Sequence, residues 1–126
     1  LLVNILKAVG DGNRLRILHL LMEKELCVCE LESLLDITQS NASRHLNKLK
    51  SAGIIESFKS AQWVYYRISD TFIEEHKELY DYLRSQFTMD KDIELLHRYL
   101  SSEFDCTFLR DDKEKVLKVL TEQCVK

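Results

Sequence analysis

Apolar residues recur at helical spacing along most of the chain. Leu2, Ile5, Leu6 and Val9 fall at i, i+3, i+4 and i+7, an amphipathic helix that Gly10 ends. Asp11 or Asn13 can cap a second helix, with Leu15, Leu18, Leu21 and Met22 as its apolar positions. A third helix carries Leu31, Leu34 and Leu35, with Cys27 and Cys29 at or just inside its start. After a tight connection at Asp36-Ile37-Thr38, Thr38 caps a fourth helix. That helix sets Ala42, Leu46 and Leu49 on one face and ends at Gly53 as a left-handed C-cap. The period then shortens. Residues 54–58 and 63–68 are rich in β-branched and aromatic side chains and read as two strands. The intervening Lys59-Ser60-Ala61-Gln62 has no Asn-Gly or Gly-X signature, which predicts a longer, mobile hairpin tip. Ser69 or Asp70 opens a long helix over 70–86, with Phe72, Ile73, His76, Leu79, Tyr80, Leu83 and Phe87 on one stripe. Asp90 can cap a further helix bearing Ile93, Leu96 and Leu100. Asp111 and Glu114 form a capping box for a last one, with Val116, Leu117, Leu120 and Cys124.

Helices, a turn, a helix and then a hairpin make a winged helix-turn-helix. The fold class is mainly α with a β-hairpin wing (α+β), and dimeric. The dimer is expected because the stripe of Leu79, Tyr80, Leu83 and Phe87 extends past what a small winged helix can cover. Residues 1–86 form the DNA-binding and dimerisation domain, and 87–126 a helical extension packed on it. The 126 residues suit one domain, and the complete absence of proline fits uninterrupted helices. With 45% hydrophobic and 31% charged residues the chain is neither disordered nor membrane-spanning. Leu1-Leu2-Val3-Asn4 lacks the basic start of a signal peptide, so the expected location is cytoplasmic.

Charge distribution sharpens this picture. Residues 1–36 hold four Lys/Arg against six Asp/Glu, a net −2. Residues 70–126 hold nine against fourteen, a net −5. Between them, Arg44, Lys48, Lys50, Lys59 and Arg67 face Glu56 alone, a net +4. A basic middle third in an acidic chain fits an anion-binding face, with nucleic acid the obvious anion. An exposed helix face is polar by default, so charge alone leaves this even with chance clustering. Position separates them. The fourth helix follows the turn and offers Gln39, Ser40, Asn41, Ser43, Arg44, His45, Lys48 and Lys50, with Lys59 and Gln62 behind it in the wing. Asn and Gln pair with adenine, Arg with guanine, and Ser and Lys reach bases or phosphates.

These residues resemble the ArsR/SmtB family of metalloregulatory repressors. The stretch from Val9 to Leu18, VGDGNRLRIL, is similar to the family's LGDxxRLRIL signature. ELCVCEL from Glu25 to Leu31 resembles the ELCVCDL metal-binding box of its arsenic and cadmium sensors. QSNASRHLNKLKSAG from Gln39 to Gly53 resembles the recognition-helix pattern QxxxSRHLxxLxxAG, and WVYYRI from Trp63 to Ile68 its second wing strand. The resemblance covers about residues 2–86. It implies a homodimer that represses a resistance operon from a pseudo-palindromic operator and leaves the DNA when an effector binds. Three departures stand out. Glu32 occupies the place of a third cysteine, the wing lacks a glycine, and His76 and His97 do not supply the helix-5 zinc site of other members.

In a cytosolic chain the four cysteines are reduced rather than paired in disulfides. Thiolates select soft ions, namely trivalent arsenic and antimony, cadmium, lead, zinc or copper(I). Residues two apart in a helix lie about 200° apart around its axis, so one ion shared by Cys27 and Cys29 needs non-helical backbone there. Their bland alternative is two small apolar core residues. The expected ligands are Cys27 and Cys29; a full three-sulfur site would have to recruit Cys106 or Cys124, neither of which lies in a motif. The expected effector is trivalent arsenic or antimony, including a methylated arsenical, or another soft metal ion, with no permanent cofactor. Alternatives are a thiol redox or persulfide-sensing repressor, a cadmium or lead sensor, and a non-DNA-binding interaction module of the same fold. His19, His45, His76 and His97 read as helix-face residues rather than ligands. Gly10-Asp11-Gly12 is no dinucleotide loop, lacking a strand before it and a third glycine. No catalytic constellation appears, and an enzyme is not expected.

Overall fold

The computed structural model describes residues 1–87, 91–102, 104, 105, 109 and 114–120. Helices α1 (Leu2–Val9) and α2 (Gly12–Glu23) are followed by strand β1 (Leu26–Cys27) and helices α3 (Val28–Leu35) and α4 (Gln39–Ser51). The hairpin β2 (Ile55–Ser60) and β3 (Trp63–Ile68) comes next, then α5 (Asp70–Glu75), α6 (Lys77–Gln86) and α7 (Lys91–Leu100). Residues 114–120 are also helical. Among the described residues no helix is long and apolar enough to cross a membrane. Asp90, Cys106, Asp111 and Cys124 lie outside the described residues.

Local chemistry explains most boundaries. The Asp11 carboxylate accepts from the amides of Asn13 at 2.9 Å and Arg14 at 3.1 Å, so Asp11 rather than Asn13 caps α2. The Thr38 hydroxyl accepts from the Asn41 amide at 3.2 Å and starts α4. Between α3 and α4 the chain reverses through Asp36, which sits in the left-handed region at φ 53°. Aspartate tolerates that conformation better than most residues. At the far end of α4, Gly53 takes φ 76° while its amide bonds to the Lys50 carbonyl at 3.0 Å. Ile54 N–H reaches the Leu49 carbonyl at 3.1 Å, satisfying groups that the helix end would orphan.

Three features depart from the sequence expectations. The hairpin tip is short: Ser60 pairs with Trp63, leaving only Ala61-Gln62 to turn, with Ala61 at φ 55°. An alanine thus takes the left-handed place that glycine usually fills, which is why no turn signature marked it. The helix expected over 70–86 is broken at His76, whose φ of −128° and ψ of 44° leave helical range for one residue. No glycine or proline announces this break. The sheet also has three strands in the order β1-β3-β2, because Leu26 and Cys27 pair antiparallel with Tyr66 and Tyr65. A two-residue strand is too short to show any periodicity.

One core runs through these elements. Ile17, Leu18 and Leu20 of α2 pack with Leu31, Leu34 and Leu35 of α3 and with Leu46 and Leu49 of α4. Ile93, Leu96 and Tyr99 of α7, with Val116 and Leu120, belong to the same buried cluster. A clamp of ions ties α7 in place. Arg16 of α2 donates to both carboxylate oxygens of Asp92 at 2.8 and 3.0 Å and to the Leu35 carbonyl at 3.1 Å.

Gly53 has open space around it, so Gly53→Ala meets no clash and pays only the left-handed backbone penalty. We expect a loss of about 1–2 kcal/mol in urea unfolding with an unchanged m-value.

Candidate functional site

The sequence-expected DNA face divides by burial. Gln39, Ser40, Asn41, Arg44, Lys48 and Lys50 are exposed along α4, Ser43 is half-buried, and Lys59 and Gln62 are exposed at the wing tip. The apolar stripe of Ala42, Leu46 and Leu49 turns the opposite face inward. Arg44 Nη2 donates to the Asn41 side-chain oxygen at 3.1 Å, so two of the side chains expected to read bases are held side by side. Lys50 Nζ donates to Ser57 Oγ of β2 at 2.8 Å, joining helix and wing. Arg67 contributes less to the basic face than the charge count implied. It pairs with Glu56 at 2.7 Å and lies 5.0 Å over the Phe58 ring.

His45 departs from the expectation. Its side chain is not on the DNA face, because the residue is only 3% exposed and turned toward α1 and α2. Arg14 Nη1 lies 3.2 Å from its Nδ1, and Asp11 Oδ1 lies 4.0 Å away. A guanidinium can only donate, so Nδ1 accepts and the ring proton sits on Nε2. Arg14 is anchored in turn by its Nε bond to the Ala8 carbonyl at 2.6 Å. Burial holds the His45 pKa below the ordinary imidazole value; Arg44, Arg14 and Lys48 push the same way and Asp11 opposes them. The Asp11 carboxyl is held below its ordinary value, chiefly by the Arg14 backbone N–H.

The second cluster is the thiol pair. Cys27 is the last residue of β1 and the N-cap of α3, with extended backbone at φ −89° and ψ 168°. Cys29 lies in the first turn of the helix. Because Cys27 is outside the helix, the 200° separation does not apply, and its Sγ lies 2.8 Å from Cys29 Sγ. Neither cysteine is in a disulfide; Cys27 is buried and Cys29 half-buried. Glu32, in the third-cysteine position, is half-buried in α3. Among the described residues no three His, Cys, Asp or Glu side chains gather into a metal site. The donor set therefore fits a soft ion held by two sulfurs, with any further ligand coming from elsewhere.

Glu30 was missed. Its Oε1 accepts from the Cys27 amide at 2.9 Å, closing a capping box, and its Oε2 accepts from the Tyr99 hydroxyl of α7. Cys-x-x-Glu at a helix start is a legible variant of the Ser/Thr-x-x-Glu box. Tyr99, 69 residues further on, left no signal.

Residues 11–57 match the family described as bacterial regulatory protein, arsR family. A solved structure of reduced HlyU from Vibrio cholerae N16961 is 40% identical with a TM-score of 0.56, covering 68% of this chain and 90% of that one. The chain belongs to the arsR family. The cadmium resistance transcriptional regulatory protein CadC of Listeria innocua is 43% identical over 65 residues, 51% of this chain and 55% of that protein. The arsenic resistance transcriptional regulator ArsR1 of Pseudomonas putida is 45% identical over 65 residues, 51% of each. This chain thus spans about half the length of those two curated relatives.

A histidine with a lowered folded pKa lets the unfolded state bind its proton first as pH falls. Its effect on stability is therefore nil well above the unfolded value of about 6.5 and grows as a loss below it, until the folded pKa is reached. We expect the parent to lose more stability than His45→Gln between pH 7.5 and 5.5, by at most about 1.4 kcal/mol per pH unit. Parallel denaturation series at each pH measure the difference.

Proposed function

We propose that this arsR-family chain is a cytoplasmic, DNA-binding transcriptional repressor that leaves its operator when a trivalent arsenical or antimonial engages Cys27 and Cys29. The observation that carries this reading is the contact of the two sulfurs at 2.8 Å at the start of the helix preceding α4. Relatives named for arsenic and cadmium resistance support a soft thiophilic effector. With two sulfurs rather than three, the pair suits a monomethyl arsenical, whose third valence is filled by carbon. In DNA recognition, Asn41 and Arg44 read base edges while Lys48 and Lys59 neutralise phosphates. A second copy of the chain covers the apolar side chains left exposed on α1, namely Leu2, Val3 and Leu6, with Tyr82 of α6. Two-fold symmetry then sets the α4 helices about 34 Å apart on a pseudo-palindromic site. The sulfur contact favours one second reading, a thiol redox sensor in which the same pair is oxidised. Mass spectrometry after mild oxidant separates them by finding, or not finding, a reversible loss of two hydrogens between these cysteines, the two electrons passing to the oxidant.

Arg44→Ala is expected to cost about 1–3 kcal/mol in operator binding and to relax sequence preference. Lys59→Ala should weaken all DNA alike and lower the salt slope by about 1. Cys27→Ser and Cys29→Ser should keep DNA affinity and abolish release by methylarsonous acid in a fluorescence anisotropy titration. Release of the Cys27→Ser protein at the parent's arsenical concentration would reject the site.

A further inference from the structure

The thiol pair is held from outside the region that matches the family. Glu30 is 7% exposed and bridges two elements: one carboxyl oxygen takes the Cys27 amide and the other the Tyr99 hydroxyl. Tyr99 is itself 3% exposed, on the face of α7 that also buries Ile93 and Leu96. The hydroxyl of α7 therefore acts on the backbone of Cys27 through one intervening side chain. Buried polar groups keep such partners because no water replaces them.

The sulfur spacing gives this bridge a function. A soft ion held at about 2.3 Å from each of two sulfurs in tetrahedral geometry, zinc being the reference, sets them about 3.8 Å apart. The two sulfurs are in contact and Cys27 is 1% exposed, so an ion reaches both of them only when the turn opens. Cys29 is fixed in the first turn of α3, and Cys27 is fixed by its ladder with Tyr65 and by the Glu30 cap. Of these restraints, the cap continues through Glu30 to the Tyr99 hydroxyl of α7.

We propose that Tyr99 is a positioning residue for the thiol pair: by holding Glu30 it keeps the Cys27 turn closed and sets the concentration at which a soft ion opens it. This rests on the thiol-sensing reading for its ion, but not for its closed turn. α7 is thereby a restraint on the sensor, and its strength tunes the sensor's threshold without touching the DNA face.

Two measurements on Tyr99→Phe test this, since the variant keeps the ring and loses only the hydroxyl. Alkylation of Cys27 by N-ethylmaleimide, followed by peptide mass spectrometry, reads opening of a residue 1% exposed at rest. We expect at least a fivefold faster rate than in the parent. Asp92→Asn loosens α7 at its other end, through Arg16, and should change that rate less than twofold at an equal or larger fall in melting temperature. Cadmium titration followed by thiolate absorption should show at least fivefold tighter binding in Tyr99→Phe and none in Cys27→Ser/Cys29→Ser. Equal alkylation in Tyr99→Phe and parent, or an equal rise in Asp92→Asn, overturns the positioning role. Undiminished cadmium binding in the double cysteine variant instead overturns the thiol reading, and the alkylation rates still decide the role of Tyr99.

Discussion

Cys27 belongs to two hydrogen-bonding systems at once. As the end of β1 it lies opposite Tyr65 of the wing, and as the N-cap of α3 its amide is taken by Glu30. Both demand extended backbone at one residue, and that single conformation brings its sulfur against Cys29. A wing strand, the helix before the turn, and a thiol pair therefore share one residue's dihedral angles. Any ligand that moves this residue acts on the sheet and on the helix together. The wing and the helix that precedes α4 are attached to the same point.

Polar contacts divide the molecule's work from its apolar core. Leucines and isoleucines of α2, α3, α4 and α7 provide most of the buried surface, and such packing tolerates substitutions of similar volume. Orientation is set by fewer and more directional groups. Arg16 and Asp92 fix α7, Arg14 and His45 fix α4, and Lys50 with Ser57 fixes the wing against α4. The first two pairs join residues 76 and 31 positions apart, where rigid-body freedom would otherwise be greatest, while Lys50 and Ser57 tie consecutive elements.

Most elements were legible because their signals are local. Asp11, Thr38 and Gly53 act on groups within a few residues, and the leucine spacing of α2 to α4 reports one-sided burial. The face of α4 was legible for the same reason, apart from His45. An imidazole beside Arg44 looks like one more polar group until a guanidinium 31 residues earlier turns out to need an acceptor. The two-residue tip was hidden because Ala61 adopts a conformation its side chain disfavours. β1 was hidden by its length, and the break at His76 by the lack of any breaking residue. The cysteines were singled out by their spacing and family likeness, whereas the Glu30–Tyr99 contact beside them spans 69 positions.

The buried contact of His45 with Arg14 has a consequence for how α4 presents its exposed face. Leucine side chains on a helix resist separation but permit small rotations about the helix axis, since oil-like contacts have little angular preference. A directional bond between a ring nitrogen and a guanidinium, itself tethered to the Ala8 carbonyl, does not. It works as a key in a keyway, locking the roll of the helix. Arg44 is the adjacent residue, so locking the roll at 45 fixes the direction in which its neighbour's side chain leaves the surface. The angle at which α4 presents its exposed side chains is thus set from its buried side.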